Sequence, residues 1–190
     1  MRTFMQRASL GVALISLGVA SEAAEWVLET GSQVTFEYTY GTDPYEGRFT
    51  NVQANFDIDP ARPTSCKFDV TINIENIDVD SPEVLDYLLD YELFDVDTWP
   101  TATFSAKSCR LTGVNTFESD GTLTIRDQTN PITFPFELNV ETCDGQVCFH
   151  MTSEVDILRL EFGVGQGYWA NTAEVPNEVK VKVDVYALMK

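Results

Sequence analysis

Three observations predict an all-β fold, an antiparallel barrel of about eight strands with one short helical insertion. Every second residue is apolar in Phe68-Asp69-Val70-Thr71-Ile72-Asn73-Ile74, in Ile132-Thr133-Phe134-Pro135-Phe136-Glu137-Leu138 and in Val179-Lys180-Val181-Lys182-Val183-Asp184-Val185. One face of each stretch suits an apolar interior and the other suits water, which marks antiparallel sheets and closed barrels rather than parallel sheets buried on both sides. Similar short stretches recur along most of the chain, and only the segment after Ser81 carries helical spacing.

The first strand runs from Val34 to Tyr40, with Val34, Phe36, Tyr38 and Tyr40 on one face. The turn-rich Gly41-Thr42-Asp43-Pro44 leads to Gly47-Arg48-Phe49 and a strand from Val52 to Ile58, stopped by Asp59-Pro60 and Arg62-Pro63. The strand from Phe68 to Ile74 loses its phase before Ile77 and Val79, which predicts a bulge. Ser81-Pro82-Glu83 then supplies a cap, a first-turn proline and an acid at the positive end of the helix dipole. Val84, Leu85, Leu88 and Leu89 share one face of that helix. Strands resume at Ala102 to Ala106, Gly121 to Ile125, Ile132 to Val140, Val147 to Ile157 and Val179 to Ala187. Pro135 cannot donate to a ladder and predicts a bulge or a partly open seam.

Arg2 and Arg7, an apolar run from Leu10 to Ala20 and the small residues of Ser21-Glu22-Ala23 read as a secretory signal peptide over residues 1–23. The run is shorter than the roughly 20 residues that span a bilayer. The expected mature chain, residues 24–190, is one domain exported to the periplasm. The full chain carries a net charge of −18, which argues against binding nucleic acid or an anionic membrane through charge.

All four cysteines, Cys66, Cys109, Cys143 and Cys148, lie in the exported part and point to two disulfides. Of three pairings, the Asp144-Gly145 hairpin signal favours Cys143 with Cys148 through a loose four-residue loop, leaving Cys66 with Cys109. A structural zinc site would want tight C-x-x-C spacing, which is lacking, so no metal is expected.

Catalytic candidates are few. The single histidine, His150, lies in the outward phase of its strand, which removes the usual triads and zinc sites. Gly163-Val164-Gly165-Gln166-Gly167 lacks the strand, helix and Lys-Ser/Thr of a phosphate loop and reads as a loop needing glycine conformations. The Asp-x-Asp pairs at Asp57/Asp59, Asp78/Asp80 and Asp95/Asp97 read as solvated surface in so acidic a chain. Asp69 and Glu154 face water by phase, so a carboxylate enzyme is not expected. Arg126 follows an outward phase, whereas Arg159 continues the inward phase of Val155 and Ile157. A buried arginine needs a partner. Either an ion pair with Glu161 or a nearby aspartate, or a ligand head group, would serve.

Several blocks together resemble the YceI-like family of exported polyisoprenoid-binding proteins. They are Trp26-Val27-Leu28 with Ser32-Gln33-Val34-Thr35-Phe36 and Gly47-Arg48-Phe49, then Glu75-Asn76-Ile77-Asp78-Val79 through Leu88-Leu89 to Glu92-Leu93-Phe94-Asp95-Val96 and Trp99-Pro100-Thr101-Ala102-Thr103-Phe104. Gly121-Thr122-Leu123-Thr124-Ile125-Arg126, Thr129-Asn130-Pro131-Ile132, Ile157-Leu158-Arg159-Leu160-Glu161-Phe162-Gly163 and the closing strand from Val179 complete the match. Histidines common in the family's first strand region are absent, with Gly31 and Tyr38 or Thr39 near their places. Asp127 stands where a glycine is usual, which implies a different turn from Arg126 to Thr129.

The resemblance implies a lipocalin-like barrel enclosing a long isoprenoid, with no catalytic residues and no required cofactor. The expected tail site comprises Val34, Phe36, Tyr38, Phe68, Val70, Ile72, Phe104, Phe134, Phe136, Val155 and Ile157, with Leu85, Leu88, Phe94, Arg159 and Phe162 towards the mouth. The helix and Leu93-Phe94 are candidates for a lid. Few basic residues are available for a pyrophosphate head, which favours a prenylquinone. The rival reading is a barrel filled by its own side chains that binds a protein, for example a membrane redox protein. Nothing in the sequence demands a homodimer, and nothing excludes one.

Overall fold

The computed structural model describes residues 25–59 and 62–190; the expected signal peptide lies outside them. Twelve strands run in chain order: β1 Trp26–Leu28, β2 Gln33–Tyr40, β3 Asp43–Phe49, β4 Val52–Asp59, β5 Arg62–Asn73, β6 Ile77–Asp78, β7 Thr101–Ala106, β8 Arg110–Leu111, β9 Thr116–Ile125, β10 Gln128–Cys143, β11 Gln146–Leu158 and β12 Glu178–Met189. The helix α1, Pro82–Leu89, stands between β6 and β7.

These twelve strands belong to a single antiparallel sheet that curls on itself. Short breaks divide longer passes of the chain, so that β1 with β2, β3 with β4, β5 with β6 and β7 with β8 each behave as one bent strand. The pass β3/β4 pairs with β2 on one side and with β5 and β6 on the other. Across β7, β9, β10 and β11 the order returns to β12, which pairs with both β2 and β1. The bridge from Glu25 to Asp57 and the Trp26 Nε1 bond to the Ile58 carbonyl, 3.0 Å, tie β1 to β4.

Two details differ from the sequence reading. The phase slip after Ile74 is a 3-10 turn, Ile74–Asn76, capped by the Asn73 side chain, which accepts from the Glu75 amide at 3.0 Å. The Asp144-Gly145 turn is a strict two-residue one, with Cys143 opposite Gln146. Both turn residues take positive φ, 51° and 85°, the geometry a tight hairpin requires. The Cys143–Cys148 bridge therefore runs diagonally across the ladder rather than round a loose loop, with Cα atoms 5.8 Å apart. That covers Cys148, which is 3 % exposed although its phase is outward. Cys66 pairs with Cys109.

The β10–β11 ladder covers only Glu137 to Cys143 against Gln146 to Thr152. Nearer the other end of the barrel the two strands separate, beginning at Pro135, the open seam that this proline predicted. Side chains bridge the gap: Ser153 Oγ donates to the Pro135 carbonyl at 2.5 Å and Asn130 Nδ2 to the Glu161 carbonyl at 2.9 Å.

Inside the barrel lie two apolar clusters. One holds Trp26, Phe56, Ile58, Phe68, Phe117, Phe136, Phe149 and Met151, and the other Phe36, Ile74, Ile77, Leu88, Leu93, Ile157 and Phe162.

Candidate functional site

The barrel is hollow in its upper half. A cavity of about 1080 Å³ opens towards α1, larger than the roughly 300–1,000 Å³ of an ordinary small-molecule pocket. Inward residues along each strand record the transition. In β10, Ile132 and Phe134 are half-buried beside the cavity, whereas Phe136 and Leu138 are buried. In β12, Val179, Val181 and Val183 are half-buried, and Val185 and Ala187 buried. The rival of a barrel packed solid holds only for the lower half.

Of the residues expected at the tail site, Val34, Phe36, Tyr38, Phe68, Val70, Ile72, Phe104, Phe134, Val155 and Ile157 line this cavity, as do Leu88, Phe94 and Arg159. Phe136, Leu85 and Phe162 do not. Phe136 points inward but lies below the floor, its ring stacked on Phe117 at 5.4 Å. Leu85 packs half-buried against the upper cluster, and Phe162 is buried within it. The sequence phase fixes the side of the sheet; depth along the barrel decides whether a side chain meets the void. Two inward glycines make room for rings in the wall. A Cβ on Gly47 would lie 2.3 Å from Phe36 Cζ, and one on Gly121 2.8 Å from Phe104 Cε2.

The mouth is aromatic and acidic. The helix α1 begins at Ser81, whose Oγ accepts from the Val84 amide at 3.4 Å, and its Leu88 is buried in the upper cluster. Tyr40, Tyr45, Tyr87, Tyr91, Tyr168 and Trp169 line the opening together with Glu83, Asp86, Asp90 and Glu92. Tyr87 and Tyr91 donate their hydroxyls to Glu83 and Glu92 at 3.1 and 3.2 Å. These carboxylates hold both phenols protonated above the usual tyrosine range, through the hydrogen bond for Tyr87 and through charge for Tyr91. Tyr38, half-buried and stacked on Tyr45, is raised by burial and then by Tyr45.

Two arginines build the rim, and neither does so through a full carboxylate fork. Arg159 is 5 % exposed, and donates from Nε to the Pro176 carbonyl, from Nη1 to Val164 and from Nη2 to Val175, at 2.9, 3.0 and 2.7 Å. The inward phase is therefore right, and the expected partner Glu161 is replaced by three backbone carbonyls. Burial lowers the pKa of this guanidinium. The glycine-rich loop exists to approach it: a Cβ on Gly165 would lie 1.8 Å from Arg159 Nη1, and Gly163, Gly165 and Gly167 all have positive φ.

Arg126 is the residue that sequence phase misplaced. It takes φ 55° in the two-residue turn between β9 and β10, and its side chain folds back over the rim instead of following Thr122 and Thr124 outward. Its Nη1 donates to the carbonyls of Tyr91, Leu93 and Gly163 at 3.1, 2.6 and 2.9 Å, and its Nη2 lies 3.6 Å from Asp95. One side chain thus pins the segment after α1 to the glycine loop.

His150 lies on the outer face, 2.7 Å from Asp184 and stacked on Tyr186. Among the described residues, the one cluster with metal-ligand spacing is Glu141, Cys143 and Cys148, whose sulfurs are already joined in a disulfide.

A model of the YceI-like domain matches residues 26–187. The chain is 28 % identical over 181 residues to a UPF0312 protein of Pseudomonas putida, covering 90 % of this chain and 93 % of that one. Among solved structures it is similar to BcnA of Burkholderia cenocepacia, with TM-score 0.72, 27 % identity and coverage of 82 % and 95 %. It shares its fold with a Campylobacter jejuni YCEI protein, with TM-score 0.70, 24 % identity and coverage of 76 % and 84 %. It likewise shares its fold with a polyisoprenoid-binding domain from Saccharophagus degradans, with TM-score 0.68, 15 % identity and coverage of 88 % and 99 %. An eight-pass barrel, a hollow upper half and a match across nearly every described strand agree: the chain belongs to the YceI-like family.

Proposed function

We propose that this protein is a periplasmic carrier or reservoir that encloses a long isoprenoid lipid, a prenylquinone in preference to a polyprenyl pyrophosphate. The observation that carries this reading is the cavity: about 1080 Å³, apolar throughout its depth and polar only at the mouth. The polyisoprenoid-binding domain from Saccharophagus degradans, which shares the fold, supports an isoprenoid as cargo. Function here is burial rather than catalysis. Each buried CH₂ contributes about 0.8 kcal/mol, roughly 4 kcal/mol per five-carbon unit. Association costs about 4–15 kcal/mol, so only a tail of several units is held tightly.

The preference for a neutral head rests on charge. Glu83, Asp86, Asp90 and Glu92 line the mouth; among the described residues Arg159 is the one cation lining the cavity and already donates to three carbonyls, and Arg126 at the rim is engaged by three carbonyls and Asp95. A pyrophosphate would meet repulsion without compensation, whereas a quinone ring finds tyrosine and tryptophan faces. Export to the periplasm belongs to the same proposal and is supported by the signal-peptide composition of residues 1–23, and a membrane redox protein would be a fitting recipient.

Native mass spectrometry of the protein purified from periplasm without detergent tests this reading, with extraction of any adduct. An isoprenoid mass ladder is the expected result. A clean apoprotein that also rejects added long-chain isoprenoids would overturn the carrier. Tighter binding of a polyprenyl pyrophosphate than of a matched quinone would overturn the head-group preference.

A further inference from the structure

We propose that Phe56, Phe68 and Met151 form a stop that sets the length of the isoprenoid tail the barrel accepts, an inference that rests on the carrier reading above. The cavity descends along the inward residues of the strands. It is lined by Phe56 in β4, Phe68 in β5, Met151 in β11 and Val185 in β12. One inward step further, Ile58, Cys66, Phe149 and Ala187 do not line it. Four strands thus change from lining to filled within one inward step, and on β1 Leu28, opposite Ala187, lines the wall one step lower.

That floor is stiff. Phe56 and Phe68 face each other across the ladder, edge to face at 5.8 Å, and Phe56 meets Phe149 at 5.4 Å with rings nearly perpendicular. Directly beneath Phe68 on β5, Cys66 is bonded to Cys109. The floor also offers a ligand nothing polar. The two serines buried at this depth are satisfied elsewhere, Ser119 by the Ser108 carbonyl at 2.8 Å and Ser153 by the Pro135 carbonyl. With acids and tyrosines confined to the mouth, the ligand enters tail first, and the tail end meets Phe56, Phe68 and Met151. A close-packed wall cannot yield to an extra unit without overpacking, and an unfilled unit leaves apolar surface without partners.

The test offers the apoprotein an equimolar series of prenylquinones of graded tail length and reads the bound species by native mass spectrometry. Wild type should select a narrow window, with adjacent lengths separated by about tenfold or more. Phe68→Ala deepens the well and should move the window to longer tails by about one five-carbon unit, the space the lost ring vacates. Ala54→Phe places a ring on β4 one inward step above Phe56, at a half-buried position that already faces the void, and should move the window the other way. Opposite shifts establish the stop. Equal binding of all lengths by wild type, or an unmoved window in an Ala54→Phe protein that still binds, overturns it. A wild-type protein that takes none of the quinones overturns the carrier reading and the stop together.

Discussion

The two halves of this barrel are built on the same strands with the same alternation, yet one is solid and the other hollow. The difference lies in side-chain size. Facing positions at the lower end carry Trp26, Phe56, Phe68, Phe117, Phe136, Phe149 and Met151, whose rings interlock edge to face. At the same phase in the upper half the rings of Phe36, Tyr38, Phe104 and Phe134 are outnumbered by shorter side chains such as Ile72, Leu123, Ile125, Ile132, Val155, Val179 and Val181. These shorter side chains coat the wall without meeting across it. Alternation writes the inside of a barrel, and bulk decides whether that inside is full.

The contrast is sharpest under truncation. Phe149→Ala, at a position 1 % exposed among packed rings, should cost about 3–5 kcal/mol in denaturant unfolding. Loss below about 1 kcal/mol would mean that the lower half is not the stabilising half.

Both disulfides lie at the solid end, and they differ in the length of chain they close. Cys66–Cys109 closes a separation of 43 residues into the solid half, and its removal should cost about 4 kcal/mol by loop entropy. Cys143–Cys148 closes 5, and the matching figure is about 2 kcal/mol. Paired Cys→Ala variants compared by urea unfolding would break the ranking if the short bridge proved the more costly.

At the open end, Leu88→Asp should cost about 1–3 kcal/mol while abolishing retention of a bound prenylquinone, because the helix would no longer seat in the upper cluster. Unchanged retention in a folded variant removes the lid role of α1. The smallest effect belongs to Val155→Ala. Its side chain is half-buried beside the void, so truncation should cost under about 1 kcal/mol, and less still once ligand fills the space. A cost matching that of Phe149→Ala would mean that the upper half is packed in solution.

Much of this arrangement was readable from residues alone. Strand phase put Val34, Phe36, Val70, Phe134 and Val155 on the inner face, and Ser81-Pro82-Glu83 located the helix. Pro135 announced the seam. Other features were invisible to periodicity because they depend on single dihedrals or on distant carbonyls. Arg126 turns inward through one positive φ, and Arg159 is satisfied by three carbonyls from a loop folded over it. On β11 the floor was legible as a change in residue size, from Phe149 and Met151 through Ser153 to Val155 and Ile157, whereas β2 grows bulkier towards the mouth, from Val34 to Tyr40.

The seam between β10 and β11 has a consequence for the protein's behaviour in a crowded compartment. Where the two strands part, each leaves an edge of peptide groups outside any ladder, and such edges invite strand addition from other chains. Pro131 and Pro135 sit on that edge without an amide hydrogen to offer. Ser153 occupies the Pro135 carbonyl on that edge, and Asn130 reaches the Glu161 carbonyl just beyond the end of β11. The gap that gives the barrel its roomy side is therefore a poor template for aggregation, and the chain can stay hollow without becoming sticky.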